Sequence, residues 1–146
     1  MAASLTVTMS NPFANKGKND ITLDWVSAAD GSCSKAILST SNSANDLLFA
    51  THARPSRIAG KLASIETIPG LSGDKTTLCP TDNYDITITD QYGYDIAVAE
   101  LADRSTSVAQ QIVPSVPIPV DTTELTLNIT HAGDSKKGRV IIRMVE

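Results

Sequence analysis

The sequence predicts an all-β fold, an antiparallel β-sandwich or jelly roll that residues 1–146 form as a single domain. Apolar and polar residues alternate along several short segments, which is the pattern of strands that bury one face. Turn-forming residues separate these segments at fairly regular spacing, as expected for antiparallel sheets. A chain of 146 residues is also long enough to bury a sizeable core.

The clearest alternation lies in residues 84–98, YDITITDQYGYDIAV. Residues 84–89 carry an apolar side chain at every second position, which predicts a strand. Asp90 to Gly93 follows with the chemistry of a tight turn, because Asp suits its first position and Gly tolerates a positive φ. Residues 94–98 resume the alternation, so we predict a β-hairpin.

The remaining elements are predicted from the same alternation and from their flanking turns. The structure of residues 46–53 is left open: Ser43 and Asp46 are spaced as in a helix capping box, whereas the apolar run Leu47 to Phe49 suits a buried strand. Three prolines between residues 114 and 119 predict an extended stretch that cannot donate to a central ladder. The other predicted strands are Leu5–Met9, Ile21–Trp25, Cys33–Ser39, Gly60–Ile68, Ala109–Val113, Leu125–Ile129 and Arg139–Glu146.

Residues 1–20 are predicted to form either an edge strand of the domain or an arm. Leu5, Val7 and Met9 alternate with threonines, and an exposed strand of this kind can pair with a strand of a neighbouring molecule. These three residues are therefore candidate interface residues.

Two tyrosines are further interface candidates. Tyr92 and Tyr94 flank Gly93 at the tip of the predicted hairpin. Tyrosine is enriched at protein interfaces because it offers a large, rigid contact area with a polar end. The alternative is that one ring covers the core and the other is simply exposed.

Composition restricts the class of partner and the cellular compartment. A net charge of −4 argues against a nucleic-acid-binding protein, and the charges form no block that would predict an acidic tail. No apolar run approaches the ~18 residues of a membrane span, and the first ten residues lack the features of a secretory signal. Cys33 and Cys79 are predicted to be separate thiols in a reducing compartment, although a disulfide depends on their distance in space.

Candidate catalytic and metal-binding residues are few. His52 and His131 lie in no recognisable motif with Ser, Cys or Asp, so we predict neither an enzyme nor a cofactor. The oxygen-bearing side chains around the hairpin raise the question of a calcium site, but Tyr92 occupies a position that an EF-hand loop reserves for Asp or Asn. We therefore predict turn and strand roles, and no metal, for Asp82, Asn83, Asp85, Asp90 and Asp95.

Residues 84–114, YDITITDQYGYDIAVAELADRSTSVAQQIVP, resemble a family of small structural proteins of tailed bacteriophage particles. The resemblance rests on the residues of the hairpin, on the pair Arg104-Ser105 in a loop of small residues, and on the segment Gln111 to Pro114. Turn and strand features elsewhere agree over most of the chain. Residues 97–100 depart from the family pattern, which has more glycine after the hairpin.

The resemblance implies a β-sandwich that is made in the host cytoplasm and becomes part of the virion. It implies a decoration, or cement, protein on the capsid surface, which binds the major capsid protein and associates with itself as a trimer or dimer. The alternative is a tail, head–tail connector, or host- or glycan-binding module of the same particle. On this basis Arg104 joins the candidate interface residues, and no nucleic-acid or membrane partner is expected.

Overall fold

A computed structural model describes residues 2–9, 18–38, 58–70 and 78–145 of the chain. These residues form two antiparallel sheets and contain no helix, which confirms the predicted all-β, sandwich-like fold. The nine strands of the described residues are β1 Ser4–Met9, β2 Lys18–Val26, β3 Cys33–Leu38, β4 Ile58–Pro69, β5 Asp85–Thr89, β6 Gln110–Ile112, β7 Ile118–Thr122, β8 Glu124–Thr130 and β9 Lys137–Val145.

The larger sheet has the order β1-β2-β9-β4, and β6 and β7 share the far side of β4. β9 pairs with both β2 and β4, so these three strands form the centre of the sheet. β7 pairs with residues 58–62 of β4, and β6 pairs with residues 65–67. The stretch that we predicted only as extended is thus in part a strand, and Pro119 lies at the edge, where a residue without an N–H is tolerated.

The smaller sheet has the order β3-β8-β5, and its inner face packs against the larger sheet. Tyr84, Ile86 and Ile88 are all buried, which confirms the predicted inward face of β5. Burial alternates in the same way along β8 and β9. The alternation in the sequence therefore identifies which side chains form the core.

Trp25 and Tyr84 are the largest fully buried side chains, and their rings join the two sheets. Their ring centroids lie 5.5 Å apart at an interplanar angle of 51°. Gly138 faces Trp25 across the β2–β9 ladder, and a Cβ atom at this position would collide with the indole ring. Glycine is therefore required here for the close approach of the indole to the β9 backbone. Among the described residues, the Trp25 Nε1 and Tyr84 hydroxyl groups have no hydrogen-bond partner.

The first strand is part of the domain's own sheet. β1 pairs with β2 over its whole length, with Leu5 opposite Trp25 and Val7 opposite Leu23. Leu5 and Val7 are half-buried and pack against the core. Residues 4–9 therefore form an edge strand, and their apolar side chains contribute to folding.

The prediction of a second hairpin strand over residues 94–98 is wrong. Residues 96–101 form turns, and the expected ladder is reduced to the bridge between Thr89 and Asp95 and the backbone bonds next to it. Val98 has a φ of +53° and is exposed, which is incompatible with an inward-facing strand position. The Asp95 carboxylate competes with strand pairing here, because it accepts hydrogen bonds from the backbone amides that follow it.

The predictions for the cysteines, for residues 46–53 and for a membrane span have different outcomes. Cys33 and Cys79 are both buried and unpaired, as predicted for separate thiols. His52 and the open segment 46–53, with its capping box, lie outside the described residues. None of the described residues belongs to a helix with the length and apolarity needed to cross a membrane.

Candidate interaction surface

The turn at Asp90 to Tyr94, here called the tyrosine tip, is held by its own backbone and by one carboxylate. The Gly93 amide donates to the Asp90 carbonyl at 3.0 Å, and the Asp90 amide donates to the Tyr94 carbonyl at 2.9 Å. Asp90 Oδ1 accepts from the Tyr92 and Tyr94 amides at 2.9 and 3.0 Å. Gly93 has a φ of +85°, as the turn chemistry predicted.

The tyrosine tip is also tied to the junction of β7 and β8. The Gln91 amide donates to the Thr122 hydroxyl at 3.1 Å, and Gln91 Oε1 accepts from the Thr123 amide at 2.8 Å. The Thr122 hydroxyl in turn donates to the Glu124 carbonyl at 2.8 Å. Thr122 ends β7 of the larger sheet, whereas the tip follows β5 of the smaller sheet, so the tip is fixed at both sheets.

Both tyrosine side chains of the tip point away from the core. Tyr92 is 83% exposed and Tyr94 is 57% exposed. Neither ring covers the core, so the alternative of one core-facing ring is wrong. Tyrosine loses little conformational freedom on binding, and the fixed backbone lowers that loss further. The tip is thus a preorganised aromatic contact area.

The tyrosine tip leads into residues 95–104, here called the tip loop, which lies along the outer edge of β5. The Ile86 amide donates to the Leu101 carbonyl, and the Arg104 amide donates to the Tyr84 carbonyl. The Ile96 amide donates to the Ile88 carbonyl at 2.9 Å. The loop therefore satisfies the backbone groups that an open strand edge would expose.

Asp95 holds the tip loop in an unusual conformation. Its carboxylate accepts from the Ala97 amide at 3.1 Å, the Ala99 amide at 2.8 Å and the Ile88 amide at 3.3 Å. Val98 and Ala99 both have left-handed φ values, +53° and +62°. This conformation costs roughly 1–2 kcal/mol per non-glycine residue, and most for a β-branched one. Glycine adopts such φ values without steric cost, so the chain maintains strain at two positions where glycine would remove it.

The tip loop forms one wall of an apolar groove, here called the valine groove, with a volume of about 510 Å³. The opposite wall is the connection between β6 and β7. Three valines of the groove, Val98, Val113 and Val116, are 53 to 72% exposed, although exposed branched apolar residues are costly to hydrate. The groove is lined by Ala97, Val98, Glu100, Ile112, Val113, Pro114, Ser115, Val116 and Ile118.

The remaining predicted interface residues have mostly internal roles. Leu5 and Val7 face the core, and nothing is described for the Met9 side chain. Arg104 is half-buried, and its Nε and Nη2 both donate to the Ala102 carbonyl at 3.2 Å. The structure thus brings together Tyr92 and Tyr94, and it places Arg104 at the far end of the loop that follows them.

The carboxylates considered for calcium have backbone partners. Asp85 Oδ1 accepts from the Asp103 amide at 2.8 Å, and Asp82 Oδ1 accepts from the Asn83 amide at 2.8 Å. His131 is exposed, and its Nδ1 lies 3.3 Å from Asp85 Oδ2. The ranges that the structure describes contain no group of three His, Cys, Asp or Glu side chains placed to hold a metal ion.

Sequence reasoning missed the valines. The sequence pattern places Val98 in a predicted strand, Val113 at the end of another and Val116 in the extended stretch. Isolated surface valines give no periodic signal. The prolines at positions 114 and 117 are the signal that could have indicated their exposure. Proline keeps this segment out of a central strand, so its valines have no buried sheet face to occupy.

Comparison of the chain with models of protein families, with curated proteins and with solved structures gave no match.

Proposed function

We propose that this chain is a structural protein of a bacteriophage virion, a capsid decoration protein that binds the major capsid protein and stabilises the head. The observation that carries the proposal is the pair of exposed tyrosines on a tip that is fixed to both sheets. The resemblance of residues 84–114 to structural proteins of tailed phages supports the assignment to a phage particle.

The tyrosine tip fits adhesion better than it fits a role in folding. Tyr92 and Tyr94 keep most of their surface in contact with water in the free protein. Large aromatic side chains on a rigid backbone are typical of the few residues that dominate binding energy at protein interfaces. The hydrogen bonds of Asp90 and Gln91 stabilise this exposed arrangement, which a turn without a binding role does not need.

Self-association is proposed to use the edge of β1 with which no described strand pairs. Strand residues 4–9, SLTVTM, carry no charge and no proline, the two features that commonly protect an edge strand from pairing. Ser4, Thr6 and Thr8 are exposed, so a second copy can approach the edge without displacing Leu5 or Val7 from the core. Edge pairing of this kind generates small oligomers such as a dimer or trimer.

A tail or host-binding module is the second candidate, because two exposed tyrosines can also stack on sugar rings. Trp25 is fully buried and cannot contribute to such a platform. Among the aromatic residues that the structure describes, the candidate therefore depends on Tyr92 and Tyr94, and glycan binding that disappears when both are replaced by alanine is the result that favours it.

The experiment that tests the proposal is binding of the purified protein to phage heads that lack it. Tyr92→Ala and Tyr94→Ala together are expected to lower the affinity at least about 30-fold, since the loss of even one hot-spot residue costs roughly 2 kcal/mol or more. Thr130→Ala is the matched control, because Thr130 is exposed at the opposite end of the β5–β8 pair. Cryo-EM density at icosahedral positions gives the location.

Two results contradict the proposal. Equal head occupancy by the tyrosine variant and the wild type rules out the tip as the adhesive site. Failure of the wild-type protein to bind heads at any concentration, with binding to tails instead, assigns the protein to another part of the particle.

A further inference from the structure

The valine groove lies in the most acidic part of the chain. Residues 78–135 contain nine acidic side chains and one basic residue, Arg104, a net charge of −8 in a chain whose total is −4. Glu100 lines the groove and is exposed, and Asp103 is exposed in the same loop. The acidic residues are Asp82, Asp85, Asp90, Asp95, Glu100, Asp103, Asp121, Glu124 and Asp134.

The wall opposite the tip loop is rich in hydrogen-bond acceptors. Pro114, Pro117 and Pro119 lie within six residues, and none of them has a backbone N–H. Each retains its carbonyl, so this edge of the larger sheet presents more acceptors than donors. An acceptor-rich edge beside carboxylates is complementary to cationic donors, not to another acidic surface.

The conformation of Val98 provides a third observation. Its left-handed backbone is held by the Asp95 carboxylate through the amides on both sides, while its side chain remains exposed in the groove. Backbone strain that the surrounding structure maintains is typical of binding sites. Glycine at position 98 would relieve the strain but would remove an apolar side chain from the groove wall.

We infer that the valine groove binds an extended protein segment that carries an apolar side chain flanked by Lys or Arg. The apolar side chain enters between the tip loop and the β6–β7 connection, and the basic groups meet Glu100 and the carbonyls of the proline segment. Two copies cannot join symmetrically through this face, because their acidic residues would repel each other. The inference deepens the proposed function and rests on it for the biological source of the segment, a shell protein.

The test uses the full chain with isotope-labelled valine methyl groups and two synthetic peptides, Ac-KKLVKK-amide and Ac-EELVEE-amide. The lysine peptide is expected to shift the methyl signals of Val98, Val113 and Val116, and the glutamate peptide to leave them unchanged. Added salt is expected to weaken the lysine peptide severalfold, since exposed charges are screened.

Two glycine variants separate the apolar contact from backbone strain. Val98→Gly and Ala99→Gly both place glycine at a left-handed position, but only Val98 lines the groove. Val98→Gly is expected to weaken the lysine peptide roughly 5- to 20-fold, as for the loss of one buried branched side chain, and Ala99→Gly to bind like the wild type. Glu100→Lys is expected to reverse the preference between the peptides.

Three results with the lysine peptide overturn the inference: no change in the valine methyl signals, the same change as with the glutamate peptide, or changes only at methyl groups outside the groove. A fourth is a concentration-dependent shift of the groove methyl signals without peptide, which would identify a second copy as the occupant. Head binding is measured in parallel. A protein that binds heads but not the lysine peptide refutes the inference alone, and a protein that binds the peptide but not heads refutes the decoration role alone.

Discussion

Gly138→Ala is expected to destabilise the protein although its backbone can accommodate alanine. Gly138 has no left-handed φ, and the nearest obstacle to a side chain is the indole of Trp25. An added Cβ would lie 2.6 Å from Trp25 Cε2 and 2.9 Å from Nε1, well inside the usual 3.5–4.0 Å of carbon contacts, and closer still to Cζ2. Trp25 cannot move away freely, because Tyr84 packs against it at 5.5 Å.

The size of the effect follows from two opposing contributions. Overpacking a core costs about 1–3 kcal/mol, and replacement of glycine in a strand returns roughly 0.5–1 kcal/mol. The overlap involves a rigid ring on a fully buried residue, so the overpacking cost lies at the upper end of its range. We expect a net loss of about 2 kcal/mol, or a decrease in Tm of roughly 4–8 °C for a chain of this size.

The assay is urea denaturation followed by far-UV circular dichroism, since the only tryptophan is altered in the companion variant. Trp25→Phe removes the Nε1 and Cζ2 atoms while it keeps an aromatic ring against Tyr84. In this background Gly138→Ala should cost much less, and the difference is the coupling free energy between the two positions. Gly93→Ala is the control, because nothing lies within 4 Å of its added Cβ and its cost, from φ +85°, should not depend on Trp25. An equal cost of Gly138→Ala in both backgrounds would refute the explanation.

Three further predictions concern ionisation and reactivity. Burial raises the pKa of Tyr84 to about 12, against the opposing effect of the Arg104 charge, so stability that is present below pH 10 should be lost as the pH rises toward 12, by roughly 2–3 kcal/mol. Urea midpoints should show this loss, and Tyr84→Phe should flatten it. Asp24→Asn should cost less than about 1 kcal/mol in the same assay, because the Asp24–Arg139 pair is partly exposed, and a larger, salt-independent loss would contradict this. Burial raises the pKa of Cys33, so thiol reagents should modify it slowly at neutral pH until urea is added, and rapid native labelling would show that the site opens.

The fold was predictable where one face of a strand is buried. Alternation located β2, β5, β8 and β9 because their inward residues fill a shared core. Alternation failed at residues 94–98, which show the same pattern but curl into turns. The Asp95 carboxylate offers the Ala97 and Ala99 amides a local partner, and this competes with pairing to β5.

The candidate surface was only half predictable. Turn chemistry around Gly93 identified the tyrosine tip, since Asp-X-X-Gly and the flanking tyrosines are adjacent in sequence. The valine groove depends on the tip loop and residues 112–118 meeting in space, and no local pattern encodes that contact. Alternation predicted β1 as a strand with an edge that can pair, and the structure adds that Leu5 and Val7 pack on the core, so pairing through β1 stays a prediction that concerns its backbone.

The tip loop explains how strain and adhesion can coexist in one segment. Its ends are hydrogen-bonded to β5 through Leu101 and Arg104, and its start is fixed by Asp95 and Ile96. The left-handed residues between these anchors cannot relax without breaking bonds that also cover the edge of a core strand. The shape of the valine groove is therefore set by β5 and by the core behind it. For this reason variants that loosen the core, such as Gly138→Ala, should weaken binding at the groove only when they lower the population of folded protein. Val98→Gly, in contrast, should weaken binding while the free energy of unfolding rises.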